Sequence, residues 1–392
     1  MKRLLFTKIL IIASFYSLTA QTTNQVEVNF SGRIDSIPRP EIAPIMRLWV
    51  NYLNSRPDSI YDNPYWNSEE KSRYKDFDFS RESIFQNGWE SYKLFAYYKP
   101  FVLTIEPVGE KYAIRTLFVA DTLQKEYIGS KVWCSLIVYA KKEKDKWVLE
   151  NAINEVTRTW KHSQYGYIDY VYPPEYKFNK NNAQRAISFC DSIIKNFSFA
   201  PPEPFKYYVT NSQDEMGLLE GFEFYFVGSA PGKGREHMLL SGKGNEFYPH
   251  ELVHLIVPGI SQIHGIVSEG NAEWLGTSVS DSAKYKKSLT VFANDFCASD
   301  TINFNTVLNR NMAWNYYDPY YPAGAILCIM VYNRKGVSGI KTLLTSDTKT
   351  NSNLLKVLES ILEVNETDFL KIYREEVLKW KKIKITVEQN PK

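Results

Sequence analysis

Histidine is scarce in this chain of 392 residues: His162, His237, His250, His254 and His264 are the only five. Two of them fall in His250-Glu251-Leu252-Val253-His254. On a helix, residues four apart share a face, so both imidazoles can reach one metal ion while the Glu between them points toward a water on that ion. A hydrolytic zinc site needs three protein ligands and one open position for water. The third ligand can come from Ser268-Glu269-Gly270-Asn271-Ala272-Glu273-Trp274-Leu275. Ser268 is suited to cap a new helix, and Glu269 in the first turn can then face back toward the first helix. Pro258-Gly259 ends that first helix just after its ligands and lets the chain double back.

These two segments resemble the gluzincin metallopeptidases, the group that includes thermolysin-like and aminopeptidase-like enzymes. The resemblance implies that His250, His254 and Glu269 hold Zn2+ and that Glu251 is the general base for a zinc-bound water. Gly270, Ala272 and Trp274 match the remaining positions of the family's E-G-x-A-x-aromatic segment. Glu273 stands where thermolysin-like enzymes place an acid that orients a ligand histidine. Tyr320-Tyr321-Pro322-Ala323-Gly324 is similar to the Y-x-x-A-G segment found downstream in such peptidases. Tyr320 is therefore the expected donor to the oxyanion, with Tyr321, His237 and His264 as rivals.

The chain departs from the pattern in several places. The spacer between His254 and Glu269 is shorter than in many relatives, and Pro249 directly precedes His250, so the helix either starts there or is kinked. No G-A-M-E-N-like segment precedes the motif, which makes endopeptidase activity the expectation rather than aminopeptidase activity. Val257 occupies the glycine position of the metzincin extension. A structural zinc would close with four Cys or His ligands, and no such set is evident. The alternative function is a non-catalytic binding protein on a zincin scaffold, recognising a peptide or glycan; the intact Glu251 speaks against it.

The elements that must position these residues suggest an α+β chain. A signal segment over residues 1–20 and an accessory domain over 21–165 precede a zincin-like catalytic domain over 166–392. The accessory domain opens with a helix over Glu41–Ser55, on which Ile42, Met46, Trp49, Val50 and Leu53 recur at helical spacing. The alternating segments FVLTIEPVG, YAIRTLFVAD, VWCSLIVYAKK and KWVLENAINEV follow, the last two joined by a turn at Glu143-Lys144-Asp145. This pattern resembles the cone-shaped cystatin-like and nuclear-transport-factor-like domains. Beyond Tyr170 the spacing predicts a helix over Asn181–Phe197, the strands FKYYVT and GFEFYFV, and then mostly helices, including one through Leu354–Leu362 and one through Phe369–Trp380.

Gly228-Ser229-Ala230-Pro231-Gly232-Lys233-Gly234 looks like a phosphate loop but lacks the Walker spacing, so it reads as a hairpin between GFEFYFV and HMLL. HMLLSG is the candidate edge strand for pairing with an extended substrate.

Composition narrows the remaining classes. With 44% hydrophobic and 23% charged residues, the chain is neither disordered, collagenous nor a multi-span membrane protein. Its net charge of +3 comes entirely from Lys2, Arg3 and Lys8. The rest is formally neutral, which argues against nucleic acid or an anionic membrane as partner. Those three cations precede an apolar stretch from about Ile9 to Leu18 and the small residue Ala20, the pattern of a cleaved export signal. A soluble periplasmic or extracellular protein acting on peptides or proteins is expected. Cys134, Cys190, Cys297 and Cys328 read as buried free thiols, with one bridge as the alternative.

Overall fold

The computed structural model describes residues 25–35, 39–57, 61–86, 95, 97–120, 130–258, 262–309 and 318–381. The proposed export signal lies outside the described residues, as does Gly259. No helix among the described residues is long and apolar enough to cross a membrane. The chain forms two compact units, each with its own sheet: one takes the chain to Val156 together with Gly217–Ser229, the other Thr157–Met216 and everything from Ala230 onward. The boundary therefore precedes residue 165, because the hairpin over 161–172 pairs into the second unit's sheet.

In the first unit, α1 (Ala43–Leu53) begins with Pro44 in its first turn, where the missing N–H has no intrahelical partner to lose. It buries Ile45, Leu48, Trp49, Tyr52 and Leu53, so its buried face is rotated from the one read from the sequence, with Met46 and Val50 only half-buried. The strands β1 (Asn29–Phe30), β2 (Tyr98–Val108), β3 (Lys111–Ala120), β4 (Val132–Glu143) and β5 (Lys146–Glu150) lie side by side in that order. β2 to β5 form an antiparallel meander with alternating burial, and the last turn carries Lys144 at φ 56°. Two additions depart from the helix-plus-meander expected of a cystatin-like cone. β1 pairs parallel to β2, and β9 (Phe222–Tyr225) pairs antiparallel to β4. GFEFYFV is thus a strand of the first unit's sheet and no partner of HMLL.

The second unit's sheet has the order β10 (Gly232–Arg235), β11 (Met238–Ser241), β8 (Phe205–Val209), β7 (Ile168–Tyr172), β6 (Lys161–Tyr165). The two inner pairs are parallel and the two outer ones antiparallel, so the sheet is mixed. This places HMLLSG in the interior: β11 pairs on both sides and is buried along its length. The edge strand is β10, formed by the Gly-rich loop itself.

α2 (Lys180–Phe197) connects β7 to β8, capped by Asn179 and burying Ala183, Ala186, Cys190, Ile193 and Phe197. The helices α3 (Pro249–Ile256), α4 (Gly265–Ala272), α5 (Ser282–Phe296), α6 (Tyr320–Thr345, interrupted at Gly336, whose φ is 62°), α7 (Asn351–Leu362) and α8 (Glu366–Lys381) form the larger helices of the rest of the unit. α6 is buried along most of its first three turns, which makes it the axis against which the other helices pack. All four cysteines are free; Cys134, Cys190 and Cys328 are buried, and burial pushes the Cys190 and Cys328 thiols up to about 12.

Candidate metal centre

α3 is only eight residues long and starts at Pro249, where proline's fixed φ suits the first helical position. There is therefore no kink, and His250 and His254 project from adjacent turns with their rings 5.1 Å apart and 77° inclined. Leu252, Val253 and Ile256 are buried and anchor the helix in the core.

The second helix is set differently from the sequence expectation. His264, not Ser268, caps α4: its Nδ1 accepts from the Ile266 N–H at 3.1 Å. Ser268 falls inside the helix, where its hydroxyl lies 3.2 Å from His254 Nδ1. Glu269, next in sequence, puts Oε2 3.3 Å from His250 Nε2 and 3.6 Å from His254 Nε2. A single turn of π-helix, Glu273–Thr277, follows α4 directly. The wider turn brings Thr277 Oγ1 to 3.1 Å from His250 Nδ1, whereas the buried Glu273 carboxylate stands at 3.9 Å. Gly276 lets this turn lie against the backbone of α3, because a Cβ there would approach His250 Cα to 2.6 Å.

Hydroxyl partners at both Nδ1 atoms leave both Nε2 atoms for a metal. The donor atoms of His250, His254 and Glu269 lie within 4.8 Å of one another. Donors roughly 2.0–2.2 Å from a tetrahedral zinc are separated by about 3.3–3.5 Å, close to the spacing of the two Nε2–Oε2 pairs. Two imidazoles and one carboxylate also match zinc's preferred chemistry. Burial alone would raise the Glu269 carboxyl, but the two imidazoles outweigh it and hold Glu269 well below the carboxylate range. Burial likewise opposes protonation of His254, and Glu269 with Glu251 carries it above its usual value.

Glu251 is 8% exposed and stays outside the three-donor cluster. Its Oε2 accepts the Gly234 N–H at 2.8 Å, tying it to the edge strand β10. Gly232 is what allows β10 so close, because any Cβ there would overlap the Tyr248 ring and approach Glu251 Cγ to 3.0 Å.

The two tyrosines separate. Tyr320 is turned into the core, its hydroxyl donating to the Leu308 carbonyl at 2.9 Å and its ring against His264. Tyr321 instead stacks on His250, with centroids 5.6 Å apart and planes 21° inclined. Burial first, then the carboxylates Glu269 and Glu251, pushes its phenol far up, so it keeps its proton. His237 sits in the β10–β11 turn, 3.6 Å from Glu203, and His264 Nε2 is 2.9 Å from Asn351 Oδ1; neither joins the cluster. Sequence spacing gave no hint of Gly234 or Thr277, since one acts through its backbone and the other through a π-turn.

Replacing Thr277 by Val is expected to weaken zinc binding about 10- to 100-fold, measured by competition with a chromogenic chelator, because His250 loses the acceptor that fixes its tautomer. Thr277→Ser should restore most of the affinity. Equal affinity in the Val variant would show that the hydroxyl plays no part.

No family model matches the chain, and no curated protein does. Among solved structures, an M1 zinc metallopeptidase from Deinococcus radiodurans aligns over 72% of this chain and 63% of that one, at 12% identity and a TM-score of 0.33. A two-domain M1 zinc metallopeptidase mutant bound to L-arginine aligns over 72% and 64%, at 11% identity and a TM-score of 0.33. The chain thus spans less than two thirds of either neighbour.

Proposed function

We propose that this chain is an exported zinc-dependent peptidase, hydrolysing internal bonds of peptides or proteins. The observation that carries this reading is the placement of Glu251: a carboxylate beside a three-donor cluster, not part of it, and held toward an edge strand. A purely structural metal has no use for that acid.

Zinc held by His250, His254 and Glu269 would supply an acidified water and a polarised carbonyl. Glu251 takes the water's proton and passes it to the leaving amine. The Gly234 N–H occupies Oε2 and fixes the carboxylate's orientation, leaving Oε1 to carry the proton. β10, at the sheet edge, offers its backbone to an extended substrate. Tyr321, protonated and stacked on His250, takes the oxyanion-donor role first expected of Tyr320.

The test is a proteome-derived peptide mixture incubated with the zinc-loaded protein and with chelator-treated protein. New internal termini should appear with zinc alone; removal of single N-terminal residues would make the activity that of an aminopeptidase. Tyr321→Phe should slow cleavage about 100-fold, while Tyr320→Phe should cleave at close to the wild-type rate. Absence of any zinc-dependent cleavage would leave the non-catalytic binding scaffold as the better reading.

A further inference from the structure

The loop that enters α3 is held from below by three tyrosine hydroxyls. Tyr176 donates to the Gly244 carbonyl at 3.0 Å, Tyr207 to Asn245 at 3.1 Å and Tyr170 to Glu246 at 3.1 Å. Beside this loop, against the segment that leads into α2, lies a polar cleft of about 440 Å³. Glu246 lines it and is fully buried, at 0% exposure. Its Oε1 accepts the N–H of Asn179, the capping residue of α2, at 2.6 Å; the Tyr176 hydroxyl stands beside the same carboxylate but gives its one proton to the Gly244 carbonyl, which leaves Oε2 without a donor. A buried carboxylate oxygen without a donor is costly, so the cleft is built for an occupant that compensates it.

The rest of the lining says what that occupant is. Glu175 adds a second carboxylate, and Asn182 and Asn211 add amides. The Asn211 amide nitrogen is engaged by Glu215 at 3.1 Å, which leaves its oxygen as the remaining acceptor. No His or Cys lines the cleft, so nothing in it favours zinc. The exposed Lys177 is the one cation of the lining, against two carboxylates.

We propose that this cleft is a site for a hard divalent cation of the calcium type, with Glu246 as its buried carboxylate ligand. Carboxylate, amide and water oxygens are the ligands such an ion takes, six to eight at a time. Bound there, the ion ties the chain entering α2 to the loop entering α3. Glu246 precedes the first histidine of the metal centre by a single turn's length of sequence, so occupancy stabilises the entry to that helix. The site is independent of the peptidase reading.

The full, zinc-loaded chain is freed of calcium on a chelating resin and titrated with Tb3+, whose emission nearby tyrosines such as Tyr176 sensitise. One Tb3+ per chain should bind and be displaced by Ca2+, and millimolar Ca2+ should raise the Tm. Glu246→Gln should weaken Ca2+ binding about tenfold or more and abolish the Tm increase, with zinc content unchanged. Because Glu246→Gln removes a buried charge and can fail to fold, the exposed variants Glu175→Gln and Asn211→Ala are titrated in parallel and should each bind Ca2+ more weakly. Absence of Ca2+-displaceable Tb3+ emission in the wild type overturns the proposal, as does wild-type Ca2+ affinity in these variants.

Discussion

Glu251→Gln is expected to cut zinc-dependent peptide hydrolysis about 1,000-fold or more, while the protein still holds one zinc. Gln has nearly the same shape, and its amide oxygen can still accept the Gly234 N–H, which in the wild type is received at 2.8 Å. The variant therefore removes proton transfer and leaves the edge strand in place. Zinc should stay because the donor cluster is His250, His254 and Glu269. The measurement is kcat/KM on a peptide the wild type cleaves, paired with metal content by mass spectrometry. A rate within threefold of wild type would falsify the base assignment; loss of zinc would instead make Glu251 a ligand.

The parts of this site that were legible in the sequence are those governed by short-range periodicity. His250 and His254 lie four apart on one helix, so spacing predicts that they share a face; Glu269, on the next helix, was expected at the same locus from the resemblance to the gluzincin pattern. Tyr320 against Tyr321 was not decidable that way. Neighbours on a helix point about 100° apart, and which one faces the metal centre depends on the Leu308 carbonyl capturing the Tyr320 hydroxyl, a contact from elsewhere in the chain. Strand order failed for a similar reason. HMLLSG reads as an edge strand in the sequence, and only the pairing of β11 with β10 on one side and β8 on the other places it inside the sheet. Thr277 was hidden because a π-turn breaks the 3.6-residue period on which helical spacing depends. Ser268 was visible, but as a cap, because a Ser before an acidic first turn is a common start signal; the backbone had already begun its helix at Gly265.

Gly270→Ala is expected to destabilise the second unit by about 3 kcal/mol or more and to lower its zinc affinity at the same time. The glycines of the two sequence motifs, Gly270 and Gly324, meet where α4 crosses α6. A Cβ on Gly270 would overlap the main-chain carbons of Gly324, and a Cβ on Gly324 would overlap the Ile266 carbonyl oxygen. Both obstacles are backbone atoms of buried helices, which cannot rotate aside as a side chain does. The helices must separate, and Glu269, the neighbour of Gly270, moves with α4 away from His250 and His254. Elsewhere in an exposed helix, Gly to Ala would stabilise by restricting the unfolded chain, so the sign of the effect discriminates. Gly265→Ala provides that control, because a Cβ there meets the Tyr320 ring at an ordinary 3.6 Å. Denaturant unfolding of both variants, with zinc affinity by chelator competition, checks the expectation. If Gly270→Ala matches Gly265→Ala in both, the helices do not cross at these glycines, and another restraint holds Glu269 against the two imidazoles.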